Sequence, residues 1–112
     1  MAADETQVDI SEFARLDLRT GTVLEAAAVE GSDKLVVMKI DIGGEVRQIV
    51  ASIRASYAPE SLAGKKTVVL ANLKKALIRG VESHGMILAA GSPEGIVLLR
   101  PESDIDSGVR IR

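Results

Sequence analysis

Across residues 34–42 apolar positions recur at every second residue: Val36, Met38, Ile40 and Ile42 share one face, while Leu35, Val37, Lys39 and Asp41 share the other. That period predicts a strand with one strongly buried face. Gly43 and Gly44 separate it from a second apolar run over residues 45–53. Two glycines suit the positive φ of a tight hairpin turn, so the two runs predict an antiparallel pair. Upstream, Thr20-Gly21-Thr22-Val23-Leu24 and residues 26–29 predict a long strand in which Gly21 permits a bend or bulge. Residues 30–33 form a turn. Ser11 is placed to cap a short helical turn through Phe13 and Ala14, with Glu12 suiting its dipole.

Downstream, residues 57–64 have Pro59 at a first helical position and Gly64 just past the end, which predicts a helix of one or two turns. Residues 67–71 read as a fourth strand, entered through Lys65 and Lys66. Residues 72–80 read as a basic connector, and residues 85–90 as a fifth strand. Residues 95–101 and 108–112 add two further short strands. The expected fold is all-β: a five-stranded Greek-key barrel of the oligonucleotide/oligosaccharide-binding (OB-fold) type, with a short helix between strands three and four and extra C-terminal strands.

The 112 residues, 46% hydrophobic, suffice for one domain spanning 1–112. Residues 1–10 form a polar leader, and residues 92–112 form an extension beyond the five barrel strands. Phe13 and Tyr57 are the aromatics, so Val, Ile, Leu and Ala must fill the core, and a base-stacking platform is disfavoured. With no cysteine and one histidine, disulfides, thiolate nucleophiles, cysteine zinc sites and multi-histidine metal centres are excluded. A carboxylate-held magnesium stays open on composition, but no cofactor is expected. The acidic start and the lack of a long apolar run predict a soluble cytoplasmic protein with no membrane partner.

Charge changes this picture. Residues 1–33 carry 8 acids and 2 bases, residues 34–79 carry 3 acids and 9 bases, and residues 80–112 carry 5 acids and 3 bases. The basic middle, clustered at Lys65-Lys66, Lys74-Lys75 and Arg79, would attract phosphates despite the net charge of -2. An ordinary solvated surface is the competing reading.

Several strings, in order, resemble a known family. They are residues 13–23, Asp33-Lys34-Leu35, residues 47–53, residues 57–66, Ala71-Asn72-Leu73-Lys74, residues 79–90 and the closing Ser107-Gly108-Val109-Arg110-Ile111-Arg112. Together they resemble the tRNA-binding domain found at the C terminus of many methionyl-tRNA synthetases and as freestanding dimeric tRNA-binding proteins, with a related copy in endothelial monocyte-activating polypeptide. The family's His-Pro-x-Ala before Asp-Lys-Leu is replaced by Val29-Glu30-Gly31-Ser32. Its proline after Asn-Leu-Lys and the later base are replaced by Lys75 and Leu77. A cousin with the same barrel is a secretion-associated, chaperone-like peptide binder; residues 47–51 resemble the tRNA binders instead.

The resemblance implies RNA contacts at Asn72 and Lys74, an amide for polar recognition and an ammonium for phosphate. Lys75 belongs to the same basic connector, Arg79 offers a phosphate clamp, and Lys34 is a further cation at the start of the second strand. Ser83 and Met86 stand where the family has its RNA-facing rim. Plainer readings compete: Asn72 holding its own turn, Ser83 satisfying one, Met86 in the core, Lys34 at a capped strand end and Arg79 as a common surface arginine beside a glycine. His84 lacks a nucleophile or base arranged around it. The function expected is non-catalytic, structure-specific and largely sequence-independent binding of tRNA at the outer corner of its L shape. The implied partners are tRNA, a second copy in a homodimer formed through residues 92–112, and methionyl-tRNA synthetase. A chaperone-like peptide-binding OB-fold dimer is the alternative. An enzyme using Asp17 or Asp41 ranks last for lack of a diagnostic carboxylate spacing.

Overall fold

The computed structural model describes residues 6–112. Its elements are α1 (Ile10–Phe13), β1 (Leu18–Ala28), β2 (Val36–Asp41), β3 (Val46–Ala51), a 3₁₀ turn (Pro59–Ser61), β4 (Lys66–Leu70), β5 (Ala76–Ile78), β6 (Val81–Ser83), β7 (Met86–Ile87), β8 (Ala89–Ser92) and β9 (Gly95–Leu98). Five strands make one antiparallel sheet in the order β3-β2-β1-β4-β7, curled into a nearly closed barrel, while β5–β6 and β8–β9 are separate hairpins.

The long β1 serves two neighbours. Leu18 to Thr22 pair with β4, and Thr22 to Ala28 pair with β2. The register shift that lets it curl lies between Val23 and Glu25, not at Gly21 as the glycine suggested. Gly21 serves close packing instead: a Cβ there would stand 2.8 Å from Ile40 Cγ2 and 3.3 Å from the Asp41 carbonyl oxygen. The expected β2–β3 hairpin forms through Gly43 (φ 104°) and Gly44 (φ 83°). The Ile42 N–H donates to the Glu45 oxygen at 2.9 Å, and Asp41 Oδ1 accepts from both glycine amides.

Val36, Met38, Ile40 and Ile42 are all buried, as their alternation predicted, and pack with Val23, Ile49, Ile53, Leu62, Val69, Ala71 and Ile87 into an aliphatic core. The helix expected over residues 57–64 is reduced to the single 3₁₀ turn, capped at Leu62, and Gly64 (φ 89°) closes the turn that follows. Asp9 rather than Ser11 precedes α1. The Asp9 N–H donates to the Glu12 carboxylate at 2.9 Å, and Ser11 lies within the turn. The fifth strand divides at Leu88: β7 stays in the barrel and β8 leaves with β9.

The last segment forms one bridge, Arg19 to Arg110, rather than a strand. It is nevertheless fastened to β1. Gly108 N–H donates to the Thr20 oxygen, Thr20 N–H to the Val109 oxygen and Ile111 N–H to the Leu18 oxygen, at 2.8, 2.9 and 2.8 Å. Gly108 lies back to back with Gly43: a Cβ on Gly108 would be 2.6 Å from Gly43 Cα and 2.7 Å from the Ile42 oxygen. Both are backbone atoms, so the tail docks only because neither residue has a side chain.

Gly108→Ala is therefore expected to destabilise the fold by about 2–3 kcal/mol, combining steric displacement with the left-handed penalty. Gly44→Ala, with φ 83° but nothing within 4 Å of its Cβ, should cost only about 1 kcal/mol. Urea unfolding of the two variants checks this; equal losses would remove the docking role of Gly108.

Candidate nucleic-acid interface

The connector after β4 contains a hairpin that the sequence did not reveal. Arg79 (φ 54°) and Gly80 (φ 78°) both take left-handed conformations at its tip, joining β5 to β6. This is the backbone of a two-residue turn that favours Asn-Gly, and an Arg-Gly pair gives little sign of it.

The hairpin lies along the outside of β3. His84 N–H donates to the Gln48 oxygen at 2.8 Å, Gln48 Nε2 donates to the Glu82 oxygen at 2.8 Å, and Val50 N–H donates to Ser83 Oγ at 3.0 Å. Ser83 also donates to the Gly85 oxygen. It is 4% exposed, so the hydroxyl expected on an RNA-facing rim is placed instead inside the barrel seam, where a buried strand amide needs an acceptor.

Asn72 is engaged as well. Its Oδ1 accepts from the Asp17 N–H at 2.9 Å and its Nδ2 donates to the Arg15 oxygen at 2.7 Å. With the Ala71 N–H bonded to the Asp17 oxygen, this amide fastens residues 15–17 to the exit of β4. The plainer reading, Asn72 holding structure, is what the geometry displays, although its partners lie 55 and 57 residues away and not in its own turn.

The connector's cations remain outside these networks. Lys74, Lys75 and Arg79 are exposed, and among the described residues none has a carboxylate partner within 4 Å. Lys34 is exposed in the loop before β2; its carbonyl accepts from the Arg54 N–H, so it stands beyond the far end of β3. Met86, an apolar strand residue with a core pattern, is 46% exposed, and Leu77 is 75% exposed on the hairpin.

Between these groups the outer faces of β1, β2 and β3 form two adjoining clefts of about 340 and 300 Å³ that share Lys39 and Gln48. The first continues over Glu25 and Val37, and the second reaches Glu82 and His84. Lys39 and Gln48 are cross-strand partners. They were not singled out as site residues, although their place on the outward face of the alternating runs was readable. Neither aromatic ring lines either cleft.

The remaining arginines near this end hold structure. Arg47 donates to the Ala71 oxygen at 2.7 Å and to Glu45 at 2.6 Å, and the latter hydrogen bond holds the Glu45 carboxyl below its ordinary value. Arg19 donates twice to Asp17, outweighing partial desolvation, so Asp17 is also held below the usual carboxylate range; the charges of Arg19, Arg110 and Arg47 add to this. Asp17 and Asp41, the carboxylates considered for catalysis, are thus an ion-pair centre and a turn cap. Among the described residues no group of three His, Cys, Asp or Glu is placed to hold a metal, and no helix is long and apolar enough to cross a membrane.

A small antiparallel barrel with a pinned, cation-bearing hairpin beside an open sheet face has the form of an OB-like polyanion binder. The chain belongs to the family described as "Putative tRNA binding domain", matched over residues 18–110. It is 51% identical over 105 residues to a methionine–tRNA ligase of Archaeoglobus fulgidus, and 49% identical over 107 residues to that of Methanocaldococcus jannaschii. Those alignments cover 94% and 95% of this chain but 16% of each ligase, so the chain spans about one sixth of their length. Among solved structures it is similar to a MetRS related protein from Pyrococcus horikoshii, with TM-score 0.88, 33% identity, and 95% and 98% of the two chains covered. It is also similar to the chaperone CsaA of Bacillus anthracis, with TM-score 0.86, 28% identity, and 96% and 100% covered.

These placements separate the residues of the connector by experiment. Ser83→Ala leaves the Val50 N–H without its acceptor and is expected to cost about 1–3 kcal/mol of stability; Asn72→Ala, losing two hydrogen bonds, should cost about 1–2 kcal/mol. Lys74→Ala should stay within about 0.5 kcal/mol of the parent. Denaturant midpoints decide this, and unaltered stability in Ser83→Ala would contradict the seam.

Proposed function

We propose that this domain binds folded tRNA through phosphate contacts and shape, at the outer corner of the L, without chemistry of its own. As an appendix or companion of methionyl-tRNA synthetase it would raise the local tRNA concentration at the enzyme. The observation that carries this reading is the division of labour in the connector: Asn72 and Ser83 hold it in place, and Lys74, Lys75 and Arg79 are left free for phosphate. Arg79 adds weight, because it occupies a left-handed turn position that costs a non-glycine residue about 1 kcal/mol. The absence of an aromatic ring from the β2–β3 clefts favours shape over base stacking. The candidate contacts are thus Lys34, Lys39, Lys74, Lys75 and Arg79, with Met86 as an exposed apolar neighbour; Asn72 and Ser83 support them from beneath.

A peptide-binding reading has one specific support besides the CsaA likeness: Leu73, Leu77 and Met86 are exposed on the same connector and rim. Parallel titrations with tRNA and an unfolded polypeptide separate the two. The tRNA reading expects whole tRNAs with different anticodons to bind alike, and an unstructured RNA or isolated anticodon stem-loop to bind more weakly, with affinity falling steeply in salt. Arg79→Gly should weaken tRNA binding while raising the unfolding midpoint. Preference for the polypeptide, or equal binding of the unstructured RNA, would reject it.

We also propose a homodimer. Ala90 and Val97 are exposed cross-strand partners on β8–β9, and Leu99 and Val109 are exposed in the segment that follows, apolar groups suited to burial against a second copy. Light scattering at micromolar concentration should give twice the chain mass, and Val97→Asp should halve it. Truncation is the poorer test, since residues 106–111 also bond to β1.

A further inference from the structure

The sequence holds two lysine pairs, and the fold parts them. Lys74 and Lys75 follow the exit of β4, whereas Lys65 and Lys66 stand at its entrance. At about 3.3 Å per residue, β4 alone separates the two ends by about 13 Å. A single phosphate cannot bridge them.

The entrance pair has surroundings of its own. Tyr57, Lys65, Lys66, Val97, Leu98 and Arg100 line a cavity of about 330 Å³ with no acid in its wall. Its framework is fixed. The Lys65 N–H donates to the Leu62 oxygen and its carbonyl accepts from the Val23 N–H, at 3.1 and 2.9 Å, while Lys66 Nζ donates to the Ile105 oxygen at 2.7 Å. Tyr57 OH accepts from the Leu98 N–H at 3.1 Å, and among the described residues nothing accepts its own proton. Asp104 and Asp106 flank Ile105, yet no carboxylate lies within 4 Å of Lys65, Lys66 or Arg100 among the described residues.

Three cations and one free hydroxyl proton around a polar recess, with a phenol ring and two aliphatic side chains beside them, match an anionic phosphate carrying a sugar and base. We infer that this recess is a second phosphodiester site, which takes a stretch of the RNA backbone apart from the one held by the connector. The inference rests on the tRNA reading above. It absorbs the cation cluster that the connector leaves unexplained, and it gives the one tyrosine a polar role at the recess rather than in base stacking on the β2–β3 face.

The test is a salt series of tRNA binding with the full chain, its Lys65→Gln/Arg100→Gln variant and its Lys74→Gln/Lys75→Gln variant. Lys66 is left intact because it braces Ile105. Each lost phosphate contact should lower the slope of log affinity against log salt by about 0.8. Lys65→Gln/Arg100→Gln should therefore flatten it by about 1.6 and weaken binding by roughly fivefold to twentyfold at low salt. The connector variant should do likewise, and the four changes together should add. Arg100→Gln alone, at an exposed side chain, should flatten the slope by about half as much and serves if the double variant melts early; Lys65→Arg/Arg100→Lys should keep the parental slope. Because Val97 lines the recess and also lies on the proposed pairing face, mass is measured for each variant. A slope unchanged in Lys65→Gln/Arg100→Gln and in Arg100→Gln, beside a flattened slope in the connector variant, overturns the second site alone. A parent that binds no tRNA overturns the functional reading itself.

Discussion

Closure of the barrel is the constraint on which the other features depend. The sheet order leaves β3 and β7 as its two edges, and β7 is two residues long, too short to cover β3 by ordinary pairing. The gap is closed by one backbone bond, His84 to Gln48, by the Gln48 side-chain amide on the Glu82 oxygen, and by the Ser83 hydroxyl standing in for a carbonyl opposite Val50. Gly85 permits the approach, because a Cβ there would be 3.0 Å from the Leu70 oxygen and 3.3 Å from Ile49 Cδ1. Once residues 82–84 are fixed on β3, the rest of the hairpin is fixed with them. Val50 becomes buried although it points outward, the second cleft acquires a wall in Glu82 and His84, and Arg79 is carried to the hairpin tip.

Strands with strong alternation were legible because burial on one face imposes a period that no other element shares. Hence β2 could be read residue by residue, the glycine turn placed the apolar run of β3 beside it, and the aliphatic core followed from the scarcity of aromatics. The β5–β6 hairpin was not legible. Its strands are three residues each, shorter than any window in which period two can be distinguished, and its turn lacks the usual Asn-Gly. The division at Leu88 escaped for a related reason: residues 85–90 are uniformly apolar or small, so nothing in the run says that β7 belongs to the barrel and β8 to another hairpin. The Gly108–Gly43 contact is invisible to pattern altogether, because it joins residues 65 apart through atoms that every residue possesses.

The candidate site was half legible for a different reason. A resemblance in short strings marks which residues a fold class keeps together, and that does not distinguish a residue that touches ligand from one that holds the surface which does. Asn72 and Ser83 are polar residues beside basic ones, and both roles fit such a residue on paper. What distinguishes them is long-range bonding: Asn72 reaches Arg15 and Asp17, and Ser83 reaches Val50. For lysines the ambiguity is smaller, because a long flexible ammonium is rarely a fixed structural partner, and Lys34, Lys74 and Lys75 are exposed with no acid beside them among the described residues.

The same reasoning resolves how an acidic chain can present a surface to a polyanion. Counting charges along the sequence treats all bases alike, but Arg19 and Arg110 share Asp17, Arg47 is held by Glu45 and two carbonyls, and Arg54 donates to the Ser32 oxygen. These arginines are committed to the fold through planar guanidinium groups that suit fixed geometry. The lysines of the connector and of the β4 entrance have no acid within 4 Å among the described residues, although Lys66 also donates to the Ile105 oxygen. At physiological ionic strength exposed charges beyond about 8 Å are largely screened, so a phosphate responds to its immediate neighbours and not to the net charge of the chain. Among the described residues the cations with no acid within 4 Å include the lysine pairs at both ends of β4, and these are ones a phosphate could meet directly.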